Sequence, residues 1–337
     1  MHRVPRMGFS WMVALSAAFL LFLGPRAGFG AEKLTVKYSW LFTPSIAPVM
    51  YGLEKGYYAA EGIDLNLIDG RGSRGNMKLF AAKKLLVGFA DSGTAAKFIS
   101  QGAAAKVIYG YQQSSPLSVI VHSDLGIKDL RGLQGRKVGR AASDSGTALF
   151  PALAKRNGVD PSKINFVNVS YAARNTAFLN RDVDGIIAYW PDNVPFLRAK
   201  GAKVSYMSYA INGLNVLGTG LLAHDEFIAK NPETLRRLLR GMSKSVAASL
   251  KDPEAAVAAI RKRSPLTVKD PVMALKVVKN VLSQVHTSNT TGKPLGWMAK
   301  KDWAETIDLL SKYSGLKNPL ALKRYYTNEF VPAKPAM

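Results

Sequence analysis

The chain has 337 residues, 47% of them hydrophobic, a formal charge of +23 and no cysteine. That is length for two domains of ordinary size and enough apolar side chains to fill their cores. The missing cysteine excludes a disulfide scaffold, thiolate metal sites, a cysteine nucleophile and a lipid-modified cysteine. A basic balance can mark nucleic-acid or anionic-membrane partners. Here the lysines and arginines are dispersed, with no run of five, so they read as a solvated basic exterior that steers anionic small molecules at most.

Residues 1–30 have the layout of a secretory signal peptide. Arg3 and Arg6 precede an apolar run from Trp11 to Leu23, short for a bilayer span, and Pro25, Gly28 and Gly30 follow. Cleavage is expected after Gly30; an uncleaved anchor is the other reading. Next comes a β-branched and aromatic run, Leu34 to Trp40. Ile46, Val49, Met50, Leu53 and Tyr57 then recur at helical spacing, and Ile63, Leu65 and Leu67 alternate with Asp64 and Asn66 as in a strand. Strand, helix and strand make a βαβ unit, hence a parallel sheet with a right-handed crossover. The loop carrying Trp40, Phe42, Thr43 and Pro44 leaves the carboxyl end of a strand, where open α/β sheets hold ligands.

At these residues, above all Lys55-Gly56-Tyr57-Tyr58 and Glu61-Gly62-Ile63-Asp64-Leu65, the chain resembles the opening of the ABC-transporter substrate-binding proteins of the thiamine-pyrimidine, aliphatic-sulfonate, taurine and nitrate group. The resemblance continues through Trp190 and more loosely into the C-terminal third. It implies an α/β fold of the periplasmic binding protein type II class, with two lobes, a hinge and a ligand cleft. Residues 31–121 with 216–337 would form lobe one and residues 122–215 lobe two, with crossings near Pro116–Ser123 and Gly213–Thr219. It further implies a monomer in a Gram-negative periplasm that captures a small organic solute and delivers it to an inner-membrane permease with its ATPase. On that reading there is no reaction on this polypeptide, no cofactor and no nucleic-acid partner.

Further along, the glycine-rich turn Gly70 to Asn76 leads into a helix through Leu85, and Leu86 to Ala90 reads as a buried strand. Lys106 to Tyr111 is a strand, and Leu117 to Val121 is a strand assigned to the first crossing. The second series places strands at Lys137–Gly139, Ile164–Val169, Val183–Tyr189 and Lys203–Met207, with helices at Leu149–Asn157, Ala172–Asn180 and Asp192–Lys200 between them. Val216 to Ala223 returns to the first lobe. Helices follow at Pro232–Leu250, Pro253–Arg263, Pro271–Val285 and Lys301–Tyr313.

Two turns carry the most chemical information. Asp91-Ser92-Gly93-Thr94 and Ser143-Asp144-Ser145-Gly146-Thr147 each follow a strand and open a helix. Helix starts expose unpaired N–H groups, serine and threonine add hydroxyls, and glycine admits close approach, so one turn per lobe would grip a polar or anionic group. Plain N-capping explains either turn taken alone. Trp40 and Trp190, one per lobe, would wall a planar ring, or else simply pack in the cores; Phe42 is a weaker third. Gln112 and Asn193 would supply neutral amide hydrogen bonds. Arg74 and Arg174 would pair a carboxylate or sulfonate, or lie solvated. In the pyrimidine-binding branch that the chain resembles, an acid follows the strand-end aromatics. Asn193 falls at that place in Ala188-Tyr189-Trp190-Pro191-Asp192-Asn193, which leaves a planar heterocycle and an organic anion both open as ligand.

Catalysis draws little from the residues. The four histidines are scattered, and no HExxH, GxSxG or P-loop motif is present. His122, Ser123 and Asp124 are a triad in composition only, because neighbours at a strand end point apart. Fungal proteins of this fold that synthesise the thiamine pyrimidine use a cysteine-rich motif that this chain lacks. Three rivals to the transport reading remain: an enzyme of that type, a sensory binding protein, and a basic surface-binding protein.

Overall fold

The computed structural model describes residues 1–2, 31–142 and 144–333. The leader expected over residues 1–30 therefore falls almost wholly outside the described residues, as does Ser143. The first sheet begins as a parallel pair, β1 (Glu32–Lys37) and β2 (Ile63–Ile68), in continuous register from Glu32 opposite Ile63 to Lys37 opposite Ile68. Leu34, Val36, Ile63 and Leu65 turn into the core by period-two alternation. The connecting helix is broken where one continuous helix is expected. Gly56, at φ +69°, ends α1 (Ala47–Glu54) and starts α2 (Tyr57–Ala60), a backbone turn that glycine takes without steric cost. The first strand also stops at Lys37, which frees residues 38–43 as a loop before the 3-10 turn Pro44–Ile46.

After α3 (Ser73–Ala81), β3 (Val87–Asp91), α4 (Ser92–Ser100) and β4 (Ala105–Gly110), the chain leaves for a second sheet. That sheet is built from β5 (Leu117–His122), β6 (Lys137–Arg140), α5 (Ser145–Arg156), β7 (Asn165–Asn168), α6 (Tyr171–Leu179), β8 (Gly185–Tyr189), α7 (Trp190–Ala199) and β9 (Val204–Ser208). β10 (Thr219–His224) then returns to the first sheet. The strand orders are β2-β1-β3-β10-β4 and β7-β6-β8-β5-β9. Each sheet has a parallel side and one antiparallel inserted strand, β10 in the first and β5 in the second.

The placement of β5 moves one expected boundary. Leu117–Val121 is read from sequence as crossing into lobe two and is counted with lobe one. β5 instead pairs with both β8 and β9, burying all six of its residues in the second sheet. The first crossing is accordingly the short segment Tyr111–Pro116. The apolar run of β5 reads as a buried strand either way, and only its neighbours decide which sheet it joins.

The remaining helices are α8 (Asp225–Lys230), α9 (Pro232–Lys251), α10 (Pro253–Arg263), α11 (Pro271–Leu282) and α12 (Lys300–Tyr313). On α9 the stripe Leu235, Leu238, Leu239, Met242 and Val246 is buried, at the spacing of one helical face. It packs on α1 and α2. Close approach there depends on Gly52, where a Cβ would lie 2.7 Å from Ser245 Cβ. α12 lies against α4 of one lobe and α5 of the other, with Trp303 fully buried beneath Tyr325 and Tyr326.

Candidate functional site

The loop 38–43, with the 3-10 turn Pro44–Ile46 that follows it, reaches across toward the second sheet because β1 ends early. Together with Gly72 and Ser73 at the start of α3 it forms one wall of a cleft of about 520 Å³. The opposite wall is the start of α5 and α6 together with one face of α7, and α11 closes the side. The lobes touch across this cleft. Thr43 Oγ1 donates to Asp192 Oδ1 at 2.6 Å, and Asn280 Nδ2 donates to the Pro191 carbonyl at 3.2 Å. Deeper in, Ser145 Oγ lies 3.3 Å from both Ser73 Oγ and Tyr189 Oη.

Trp40 meets Tyr171 edge to face, with ring centroids 3.9 Å apart, and the Arg174 guanidinium lies 5.2 Å from the centre of the Trp40 ring. Two aromatics from opposite lobes thus meet on the apolar part of the wall, beside Phe42 and Phe196. Arg174 is 3% exposed and its partner Asp144 is 2% exposed. Arg174 Nη1 donates to Asp144 Oδ2 at 2.9 Å and to the Ile187 carbonyl at 3.0 Å, and Nη2 donates to Asn193 Oδ1 at 3.4 Å. Asn193 Nδ2 in turn donates to the Tyr189 carbonyl. Burial pushes the Asp144 carboxyl above its ordinary value, and the Arg174 charge and the Gly146 N–H pull it back.

Asp192 also lines the cleft. Burial raises its carboxyl, while hydrogen bonds from Thr43 and Ser45 lower it and the Arg174 charge lowers it further. Tyr38, under the same loop, has its phenol pushed up, chiefly by burial and then by the Asp192 charge. Beneath the cleft floor Asp91 is completely buried. Burial and the nearby Asp144 carboxyl push it up to about 7.

Of the residues singled out from sequence, Trp40, Phe42, Ser145 and Asn193 line this cleft. Asp91, Ser92, Gly93 and Thr94 lie behind it. There Asp91 Oδ1 accepts from Thr94 N at 2.8 Å, and Ser92 N donates to the Gly218 carbonyl at 2.8 Å, so that helix start is already satisfied. Gly146 and Thr147 sit one step back in α5, with Gly146 N donating to Asp144 Oδ1. Gln112 lies in the first crossing, its Nε2 donating to Gln284 Oε1 at 2.8 Å. Trp190 is on the far side of α7, stacked on Tyr206 at 5.8 Å in a separate groove. Arg74 is exposed on α3, and His122 stacks on Phe178 and bonds its carbonyl, a packing role.

Tyr171, Tyr189 and Asp192 are among the cleft residues to which sequence reasoning gives no role. The signal for two of them was present in the helical phase of α7. Tyr189, Asp192, Asn193 and Phe196 face the cleft, and Trp190, Val194 and Arg198 face the other groove. Among the described residues no group of three His, Cys, Asp or Glu side chains is placed to hold a metal ion.

Two α/β lobes joined by two crossings around a cleft define the periplasmic-binding-protein fold. The chain belongs to the NMT1/THI5-like family, whose sequence model matches residues 43–256. Among its relatives is the riboflavin-binding protein RibY of Chloroflexus aurantiacus, 24% identical over 91% of this chain and 88% of that protein. Another is the 4-amino-5-hydroxymethyl-2-methylpyrimidine phosphate synthase of Schizosaccharomyces pombe, 24% identical over 66% of this chain and 67% of the enzyme. Among solved structures, the alkanesulfonate-binding protein SsuA of Xanthomonas axonopodis pv. citri, bound to MOPS, superposes with a TM-score of 0.65 at 12% identity. That match covers 86% of this chain and 95% of the SsuA chain.

Proposed function

We propose that this protein is the periplasmic solute-binding component of an ABC importer. It captures a small organic solute with an aromatic or heterocyclic body between its lobes and presents the closed form to an inner-membrane permease. The observation that carries the reading is the composition of the cleft. Trp40 and Thr43 come from one lobe, and Tyr171 and Asp192 from the other, and they meet on a single cavity. A cavity of about 520 Å³ falls within the usual range for small-molecule sites. A solute held there touches both lobes only when they are closed, so binding favours closure. A riboflavin-binding relative and an alkanesulfonate-binding protein of similar fold support the class of function without choosing the ligand.

The synthase relative raises chemistry as the rival. Among the described residues the cleft lining contains no histidine, and the sequence has no cysteine, which favours capture over reaction. The division into lobes and the export to the periplasm are part of the same proposal.

The test is a thermal-shift screen over flavins, pyrimidines, aromatic acids and sulfonates, repeated with Trp40→Ala and Trp190→Ala. A ligand raises the melting temperature with its excess over the dissociation constant. Trp40→Ala is expected to abolish the response, and Trp190→Ala to keep it. An undiminished response in Trp40→Ala would sink the assignment of this cleft.

A further inference from the structure

Trp190, expected from sequence to wall the cleft, faces a second cavity, a groove of about 580 Å³ on the outer side of α7. Ala199, Asp270 and Met273 line both cavities and divide them. One wall of the groove belongs to lobe two and carries Trp190, Arg198 and Tyr206. The other is α11 of lobe one and carries Val272, Lys276 and Asn280. Its seam is an interlobe contact, Asn280 Nδ2 donating to the Pro191 carbonyl. The groove is therefore whole only while α7 and α11 lie together.

Two independent features set it apart from an ordinary gap between helices. The first is apolar area left in water. The Trp190 and Tyr206 rings stack with their planes 13° apart, yet Tyr206 is 38% exposed, and Val272 on the facing helix is 66% exposed. A flat aromatic surface opposite an aliphatic one suits a planar ring. The second is charge. Arg198 Nη2 donates to the Val204 carbonyl at 3.2 Å, Lys276 is exposed, and among the described residues neither has a carboxylate partner. Elsewhere on the surface Arg236, Arg240, Lys262 and Lys312 each hold one. Asp270, the acid on the groove lining, is turned to its own helix start, accepting from Met273 N at 3.0 Å. Two cations, one from each lobe, thus share one groove without a protein anion to offset them, and closure brings like charges together.

Resting on the two-lobed solute-binding reading above, we infer that this groove is a second binding site, that it takes a planar aromatic anion, and that it is complete only in the closed form. The ring lies against Trp190 and Tyr206 beneath Val272, and its carboxylate or sulfonate sits between Arg198 and Lys276. The occupant touches α7 of one lobe and α11 of the other, so it holds the lobes together. By linkage, a solute in the cleft and an anion in the groove each strengthen the binding of the other.

The experiment titrates the full mature chain by calorimetry with three probes that share one ring and differ in charge: indole-3-acetate, indole-3-acetamide and tryptamine. The acetate alone is expected to bind, and small-angle scattering should show the chain contracting as it does. Trp190→Ala is expected to abolish the binding and Trp40→Ala to leave it unchanged. Lys276→Glu is expected to weaken it about 5-fold, the upper range for an exposed ion pair. Melting temperatures check that each variant stays folded, and if Trp190→Ala does not, the exposed Lys276→Glu carries the test. Equal affinity for the three probes, an acetate that does not bind, binding lost with Trp40 instead of Trp190, or binding without contraction each overturns the inference. None of these results removes the cleft reading, which stands or falls on Trp40→Ala in the flavin and pyrimidine screen.

Discussion

The tetrapeptide Asp-Ser-Gly-Thr occurs twice, at 91–94 before α4 and at 144–147 before α5. The two copies begin alike, each aspartate capping its own helix. They diverge in what surrounds them. The first is sealed under β10 with no cation beside its carboxylate, and Asp91 Oδ2 has no hydrogen-bond partner. The second faces the cleft, and Arg174 neutralises it. The same four side chains thus give a buried acid with a displaced titration in one lobe and a paired, cleft-lining acid in the other. Local sequence specifies the cap, and tertiary partners specify the charge state.

The largest break in this comparison should come from Arg174→Ala. It leaves Asp144 buried and unpaired, and losing one partner of such a pair costs about 3–5 kcal/mol. Urea unfolding at neutral pH measures it, and a loss below about 1 kcal/mol would mean that Asp144 does not depend on the arginine. The next effect is a pH dependence from the first copy. Asp91 has an ordinary value of 3.8 and is pushed up to about 7 in the fold. Between those values the folded chain holds a proton that the unfolded chain releases. Stability therefore falls as pH rises from about 4 to about 7 and levels off above. Asp91→Asn retains the cap and should flatten that slope, gaining stability at pH 8; an unchanged slope would place the titration elsewhere.

The two glycines make a finer contrast. A Cβ on Gly146 would sit 2.5 Å from Ile187 Cγ2, so Gly146→Ala should cost about 1–3 kcal/mol by overpacking. On Gly93 the nearest atoms are at 3.4 Å, ordinary contact. Gly93→Ala is therefore expected to stay within about 1 kcal/mol of the parent, on the stabilising side by helix propensity. Paired melting curves decide it, and equal losses at both sites would erase the distinction drawn here.

Much of the architecture was legible. The βα alternation, the return strand over 216–223 and four C-terminal helices, each near its expected bounds, follow from periodicity and, for three of those helices, from the prolines at their starts. The cleft was only half legible. Trp40 and Phe42 sit in a strand-end loop, a place that topology marks in advance. Asp192 acquires its meaning from Thr43, a residue 149 positions away, and no local pattern announces such a meeting. Arg174 reads in sequence as a ligand-pairing or solvated side chain, and its burial against Asp144 depends on α6 packing on β6 and β8 beside the start of α5. Trp190 misleads because a strand-end aromatic is read without the phase of the helix it begins.

The two crossings run side by side. Tyr111 N and Gln112 N both donate to the Thr219 carbonyl and Ser115 N donates to Asn215 Oδ1, and a Cβ on Gly218 would strike the Ser114 and Gln112 carbonyls at 2.5 and 2.7 Å. Ribbons stitched along a common seam fold about that seam and resist twisting or sliding. Opening should then resemble the turning of a page, with one edge of the molecule nearly still while the opposite edge sweeps through the widest arc.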